Sequence, residues 1–347
     1  MSELSAQAEK EVEGEKASNS VPEKIEAVGE SAPEEQKVMS AVDTFLAQFY
    51  LSKFSKQIAL QYMKKIAADP SDDNERVKAW LMRGMNKIIK APDNCDEWQR
   101  GCPDKVPGIR AQAVWDTKDF DWVERIEENF NVILEELVAL EGLDVSGFQP
   151  YRAPAANDKI KNESDGVGVE ATDAGSWNVF YLSLGKVMNF DDNRAKCPKT
   201  VELLEGIPGI YGHSFFSCLS PKSHITKHNG PTNKKLRCFL PLTCGENARL
   251  RVGGVERVPL QKGKILIWDD SFEHESWNDD ETSRITLIFD IWNPDLHPKE
   301  RKFLSFLTNS QLRAQKKIVE ASGNEDNFFS VIDRAQYLDV AKEELWT

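Results

Sequence analysis

Between Trp177 and Trp292 the chain falls into short runs rich in β-branched and aromatic residues, each closed by turn residues: Trp177 to Leu184, Ser214 to Leu219, Leu236 to Leu242, Ala248 to Val252, Lys264 to Trp268 and Ile285 to Trp292. Six such runs within about 115 residues fit a jelly-roll or a closed barrel better than an α/β sheet. No internal repeat and no dinucleotide-type glycine fingerprint interrupts them.

The flanks read as helix or as loop. Residues 1–37 are rich in Glu, Ser, Ala and Lys and hold no aromatic residue, so they bury too little apolar surface to offset chain entropy and are expected to be a disordered acidic tail. Residues 38–105 form a helical N-terminal region. Phe45, Phe49, Leu51 and Phe54, then Ile58, Tyr62 and Ile66, then Trp80, Leu81, Met85, Ile88 and Ile89 recur at helical spacing, and Asp69-Pro70 predicts a turn between two helices. This aromatic stripe serves a bundle, or a protein partner docked on the N-terminal helices. Phe120 to Leu143 predicts another helix, stopped at Gly142. Arg152 to Gly175 is polar and Gly-rich, a loop that is either a lid or disordered. The main domain is placed at 106–310, with its β-core at about 177–292, and 311–347 as a C-terminal helical extension.

Charge narrows the function classes. Lys+Arg 44 against Asp+Glu 57 gives a formal net charge of −13, which repels phosphate backbones and makes nucleic acid an unlikely general partner. The six cysteines form no CxxC pair, so free buried thiols in a reducing compartment are the plain reading. The apolar stretch Val38 to Tyr62 is interrupted by Asp43, Lys53 and Lys56, and the N-terminus shows no secretory signal. These features predict no transmembrane segment and a cytoplasmic location.

Four of the five histidines lie in the β-region. His228 sits in His228-Asn229-Gly230-Pro231-Thr232-Asn233, expected on a turn, and His274 sits in Asp269-Asp270-Ser271-Phe272-Glu273-His274-Glu275, expected on a strand. Two neutral imidazoles with open coordination positions suit an oxygen-activating ferrous ion. The usual facial triad adds a carboxylate two positions after the first histidine; Gly230 stands there instead. Asp269, Asp270, Glu273 and Glu275 read as a solvated turn. Arg237 and Arg284 fall in apolar strands, where a buried guanidinium needs either a nearby Asp or an anionic ligand.

Taken together, His228 to Asn233, Leu236-Arg237, Lys264 to Glu275, Trp277, Arg284 and Asp290-Ile291-Trp292-Asn293-Pro294 closely resemble the catalytic domain of the aspartyl/asparaginyl β-hydroxylase family. A thinner likeness runs upstream through Pro107 to Ala111, Trp115, Pro198-Lys199-Thr200 and Leu203 to Gly209. The resemblance implies a mainly β catalytic domain, a double-stranded β-helix of jelly-roll or cupin-like type with flanking α-helices. It implies Fe(II), O2 and 2-oxoglutarate as cofactors and cosubstrates, with His228 and His274 as the iron ligands. It also implies that Arg284 pairs with the distal carboxylate of 2-oxoglutarate, that Ser217 donates a hydrogen bond to it, and that Arg237 meets an anionic group of cosubstrate or substrate. The implied reaction hydroxylates an unactivated carbon, foremost the β-carbon of Asp or Asn in a polypeptide. A non-peptide small or acyl substrate, or a binding module with weakened catalysis, are the alternatives. The chain departs from the family pattern at Phe239, where a histidine is usual, at the lone Cys197 beside Pro198-Lys199-Thr200, and upstream of Trp177, where Lys159 or Lys161 would have to replace a substrate-gripping arginine.

Overall fold

The computed structural model describes residues 33–86, 96–141, 148–151 and 172–322. The chain divides into two units, Met1–Ser40 and Ala41–Thr347. Within the described residues the first contributes the opening of helix α1 (Pro33–Ala47), and the second holds the rest. Tail residues 1–32, the loop residues 152–171 with Lys159 and Lys161, Gly142 and the end of the C-terminal extension after Ser322 lie outside the described residues.

Among its described residues the N-terminal region holds three α-helices where the stripe of apolar residues predicted two. After α1 the chain turns at Tyr50, in the left-handed region at φ 48. Ser52 then caps α2 (Lys53–Ala68) by accepting the Ser55 N–H. The predicted break at Asp69-Pro70 is present: Asp69 is extended, as a residue before proline must be, and ends α2 ahead of α3 (Glu75–Asn86). The Phe120 helix is also split, into α4 (Val123–Glu128) and α5 (Phe130–Glu141), at Asn129, whose backbone leaves the helical region.

The remaining elements are strands β1 (Val114–Trp115), β2 (Gln149–Pro150), β3 (Thr172–Ala174), β4 (Trp177–Leu184) and β5 (Met188–Asn189), helices α6 (Asp191–Lys196) and α7 (Pro198–Glu205), strands β6 (Ile210–Leu219), β7 (Ser223–His228), β8 (Lys235–Thr243), β9 (Ala248–Val252), β10 (Val255–Val258), β11 (Leu266–Trp268), β12 (His274–Asn278) and β13 (Arg284–Trp292), and helix α8 (Pro298–Ser322). They build an eight-stranded sheet in the order β1-β11-β8-β13-β6-β4-β2, with β5 on β4, and a five-stranded sheet in the order β10-β9-β12-β7-β3. All pairings between these strands are antiparallel.

Alternation along the strands sends side chains to two separate cores. On the large sheet, Phe216, Leu236, Leu240, Leu287 and Phe289 point outward into a core with Ile126, Ile133, Leu137 and Leu204 of α4, α5 and α7. Their neighbours Phe215, Phe239 and Ile288 point the other way and meet Ile225, Leu250 and Val252 of the small sheet. Two sheets closed over a shared interior, with helices outside the larger, make a double-stranded β-helix. A third cluster joins Phe45, Phe49 and Trp80 to Phe303 and Leu307 of α8. Four of the five described cysteines, Cys102, Cys197, Cys218 and Cys238, are buried. Among the described residues no helix is long and apolar enough to cross a membrane.

Candidate active site

Strands β7 and β12 lie side by side in the small sheet, and they bring His228 opposite His274. Their register shifts: Ser276 faces Ile225, yet His274 faces His228, so two residues of β7, Thr226 and Lys227, stand against Glu275 alone. This bulge has a consequence. Simple alternation from the inward-facing Ile225 would turn His228 outward, and the extra residue turns it back inward. The rings end 4.1 Å apart between centroids at 59°. His228 thus closes a strand, where a turn was expected, because β7 continues into the site.

Both imidazoles are held in one tautomer. His228 Nδ1 lies 2.7 Å from the Thr226 carbonyl and His274 Nδ1 lies 2.8 Å from the Phe272 carbonyl. A carbonyl only accepts, so each Nδ1 carries the proton and each Nε2 keeps a free lone pair. Burial lowers the pKa of His228 and lowers that of His274 well below the ordinary histidine range. Two neutral rings with adjacent free nitrogens are what a divalent metal requires of imidazole.

Three of the four carboxylates flanking His274 are not solvated. Asp269 and Asp270 are fully buried, and Glu275 is buried and ion-paired to Arg251. The segment folds inward because Gly230 leaves room for it: the Gly230 N–H donates to the Asp270 carbonyl at 2.6 Å, and a Cβ at 230 would stand 2.6 Å from Asp270 Cγ. An acidic residue at position 230 therefore has no space. Asp270 Oδ2 is paired with Lys235 at 2.7 Å, while its buried Oδ1 has no partner among the described residues.

The two arginines differ sharply. Arg237 on β8 sits beside Asp290 of β13, giving it Nε and Nη2 hydrogen bonds of 3.0 and 3.2 Å. Lys235 also reaches Asp290, at 3.0 Å, and Asp270 adds a longer contact to Arg237. Burial disfavours the Arg237 charge, but Asp290 and Asp270 outweigh it and raise its pKa. Arg284 has no such partner among the described residues. It is 3% exposed, Nη1 donates to Ser276 Oγ at 2.8 Å and to the Trp277 carbonyl, and Nε is buried without an acceptor among the described residues. Burial pulls its pKa down to about 10.

Ser217 lies across the sheet from Thr286, and both face the same interior as Arg284. Trp177 Nε1 donates to Ser217 Oγ at 2.9 Å, which leaves the serine proton free to donate elsewhere. The Thr286 hydroxyl is buried without a partner among the described residues. Arg284 reaches the histidines through Ser276, which shares a face of β12 with His274 one two-residue step away, about 7 Å along the strand. Trp177, Ser276, Lys235, Asp270 and Asp290 were not singled out from the sequence as site residues. Ser276 was findable by period-two spacing from His274 once β12 was known to be a strand; the others meet only through strand pairing.

By class, the chain is a double-stranded β-helix whose interior holds a facing histidine pair and a buried arginine with no carboxylate partner among the described residues. Residues 127–294 match the sequence profile described as Aspartyl/Asparaginyl beta-hydroxylase. Over 280 residues the chain is 33% identical to human aspartyl/asparaginyl beta-hydroxylase, covering 74% of this chain and 34% of that protein. It is 33% identical over 190 residues to aspartate beta-hydroxylase domain-containing protein 2 of Xenopus tropicalis, covering 52% and 47%. It is 34% identical over 201 residues to ornithine lipid ester-linked acyl 2-hydroxylase of Rhizobium tropici, covering 57% and 66%. The chain belongs to the aspartyl/asparaginyl β-hydroxylase family, and it spans between 34% and 66% of the length of these relatives. A solved 2OG-Fe(II) oxygenase family oxidoreductase from Burkholderia pseudomallei overlaps 47% of this chain and 82% of that one, with TM-score 0.32 and 12% identity.

Proposed function

We propose that this chain is an Fe(II)- and 2-oxoglutarate-dependent hydroxylase in which His228 and His274 hold the metal and Arg284 holds the distal carboxylate of 2-oxoglutarate. The observation that carries the reading is the Arg284 guanidinium, buried with a free Nε and no counter-charge among the described residues. Such a cation is costly without an anion, and a dicarboxylate that reaches the histidine pair would supply one.

When bound, ferrous iron with 2-oxoglutarate and O2 supplies the oxidising chemistry that hydroxylates an unactivated C–H bond, with succinate and CO2 as co-products. The chain's own residues then have defined tasks. The Thr226 and Phe272 carbonyls fix the two rings so that both Nε2 atoms remain available. Arg284 offers an N–H to the distal carboxylate while Ser276 steadies its other edge, and the Ser217 hydroxyl, oriented by Trp177, donates beside it. Arg237, with Nε and Nη2 taken by Asp290 and its side chain 17% exposed, presents its remaining edge to an anionic group of cosubstrate or substrate. No general base enters, so none is assigned.

The substrate reading favoured here is the β-carbon of Asp or Asn in a polypeptide, in line with the names of the animal relatives. The Rhizobium relative, similar over a comparable stretch, supports a second reading, the same chemistry on a lipid acyl chain. Purified protein with Fe(II), ascorbate and 2-oxoglutarate is expected to release succinate above a His228→Ala control, with stimulation by Asp- or Asn-bearing peptides or by ornithine lipid deciding between the two. Succinate release equal to the control would favour a binding module that has lost turnover.

A further inference from the structure

The site contains one more buried donor without an acceptor. Trp268 is 1% exposed, and its Nε1 has no hydrogen-bond partner among the described residues. Its indole meets the His274 ring edge-on, 4.7 Å between centroids at 72°. It also meets Phe239 edge-on at 5.3 Å and 89°. Strand pairing sets Trp268 level with Arg237, which is in turn level with Asp290. Arg284 lies at the opposite end of β13 from Asp290. Trp268 therefore stands at the histidine end of the interior, apart from Arg284.

An indole N–H taken out of water without an acceptor is destabilising, and buried tryptophans ordinarily find one. Phe239, two residues along β8 from Arg237, supplies no hydrogen-bonding group, and its ring packs against the tryptophan. An acceptor for Nε1 is thus expected from whatever binds at the free nitrogen of His274. We infer that Trp268 Nε1 donates to the carboxylate at the chelating end of the 2-oxo acid, making Trp268 a cosubstrate-binding residue that supplies the donor absent at position 239. This rests on the cosubstrate site proposed above. It assigns the two ends of the dicarboxylate to different donors: Trp268 at the histidine end, Arg284 and Ser217 at the far end.

The test measures binding without turnover. Mn(II) replaces iron, N-oxalylglycine serves as the non-reacting 2-oxo acid analogue, and calorimetry gives the Kd of each for wild type, Trp268→Phe and the double variant Trp268→Phe/Phe239→His. Phe keeps the ring contacts and removes only the N–H. Analogue binding is expected to weaken about tenfold in Trp268→Phe, as for one lost hydrogen bond to a charged group, with Mn(II) affinity unchanged. The histidine at 239 is expected to restore affinity to within about threefold by returning a donor from the neighbouring strand. Unchanged analogue affinity in Trp268→Phe overturns the inference. So does a loss that extends to Mn(II) and is not rescued, which would mark the indole as packing for His274. If wild type binds Mn(II) but not the analogue, the cosubstrate reading falls and this inference with it; an intact wild-type site with an unaffected Trp268→Phe defeats the inference alone.

Discussion

Arg237 and Arg284 are the same residue type on neighbouring strands, facing the same interior, and their surroundings differ. Asp290 and Asp270 complete Arg237 within the protein. Arg284 has hydroxyl and carbonyl acceptors on one nitrogen and nothing on Nε among the described residues. The sequence shows both as charges in apolar runs but cannot tell them apart, because Asp290 comes level with Arg237 only when β8 and β13 pair. The likeness to the family brought Arg284 forward; the geometry supplies the reason. Arg284→Ala is expected to raise the 2-oxoglutarate concentration needed for half-maximal succinate release by well over tenfold, since loss of a buried charge partner costs about 2–5 kcal/mol. An unchanged requirement removes Arg284 from the site.

At the scale of elements, the site depends on β7, β12 and the turn before β12. Neither strand falls among the six runs read from the sequence, although a strand was expected at His274. Runs such as β8 and β13 are buried along most or all of their length and read as nearly continuous apolar segments. By contrast, β7 reads Ser-His-Ile-Thr-Lys-His and β12 reads His-Glu-Ser-Trp-Asn, because one face carries the site and the other carries the charged outer surface. Polar residues on both faces leave no clear period-two signal there. Deleting Lys227 would remove the bulge and leave only Thr226 between Ile225 and His228, so plain alternation would itself face His228 inward, opposite His274. Divalent-metal binding is expected to stay well above that of His228→Ala, with the circular dichroism spectrum of the parent; a fall to the His228→Ala level would show that the inward facing of position 228 is not what the extra residue supplies.

The turn residue Asp269 adds a pH dependence. Burial raises its pKa to about 7, against hydrogen bonds from Ser271 that lower it. The unfolded carboxyl ionises near pH 4, so between about 4 and 7 the folded state holds a proton that the unfolded state has lost. This group's contribution to stability therefore falls as pH rises through that window and levels off above it. Asp269→Asn removes the titration. In urea unfolding of the metal-free protein, the variant is expected to gain on the parent progressively from pH 4 to pH 7; a constant difference would place the Asp269 pKa at its ordinary value.

At the scale of the molecule, the larger sheet is packed from outside by α4, α5 and α7 and from inside by the smaller sheet, so its backbone is held on both faces. That rigidity lets the interior hold buried histidines, lysine, arginines and aspartates at one time. The barrel-type fold was legible from composition and turn spacing, because the strands of the large sheet carry most of the apolar residues. The closeness of the two histidines was not, since it depends on which strands of the small sheet are neighbours and on a one-residue irregularity between them. The central claim is that His228 and His274 form one ferrous site that accepts 2-oxoglutarate. Its most direct test is the visible charge-transfer absorption of a ferrous 2-oxo acid chelate, recorded without oxygen. The band is expected on titrating wild type with Fe(II) and 2-oxoglutarate, and it should be lost or greatly weakened in His228→Ala and His274→Ala; no band in wild type, or equal bands in all three proteins, would contradict the account.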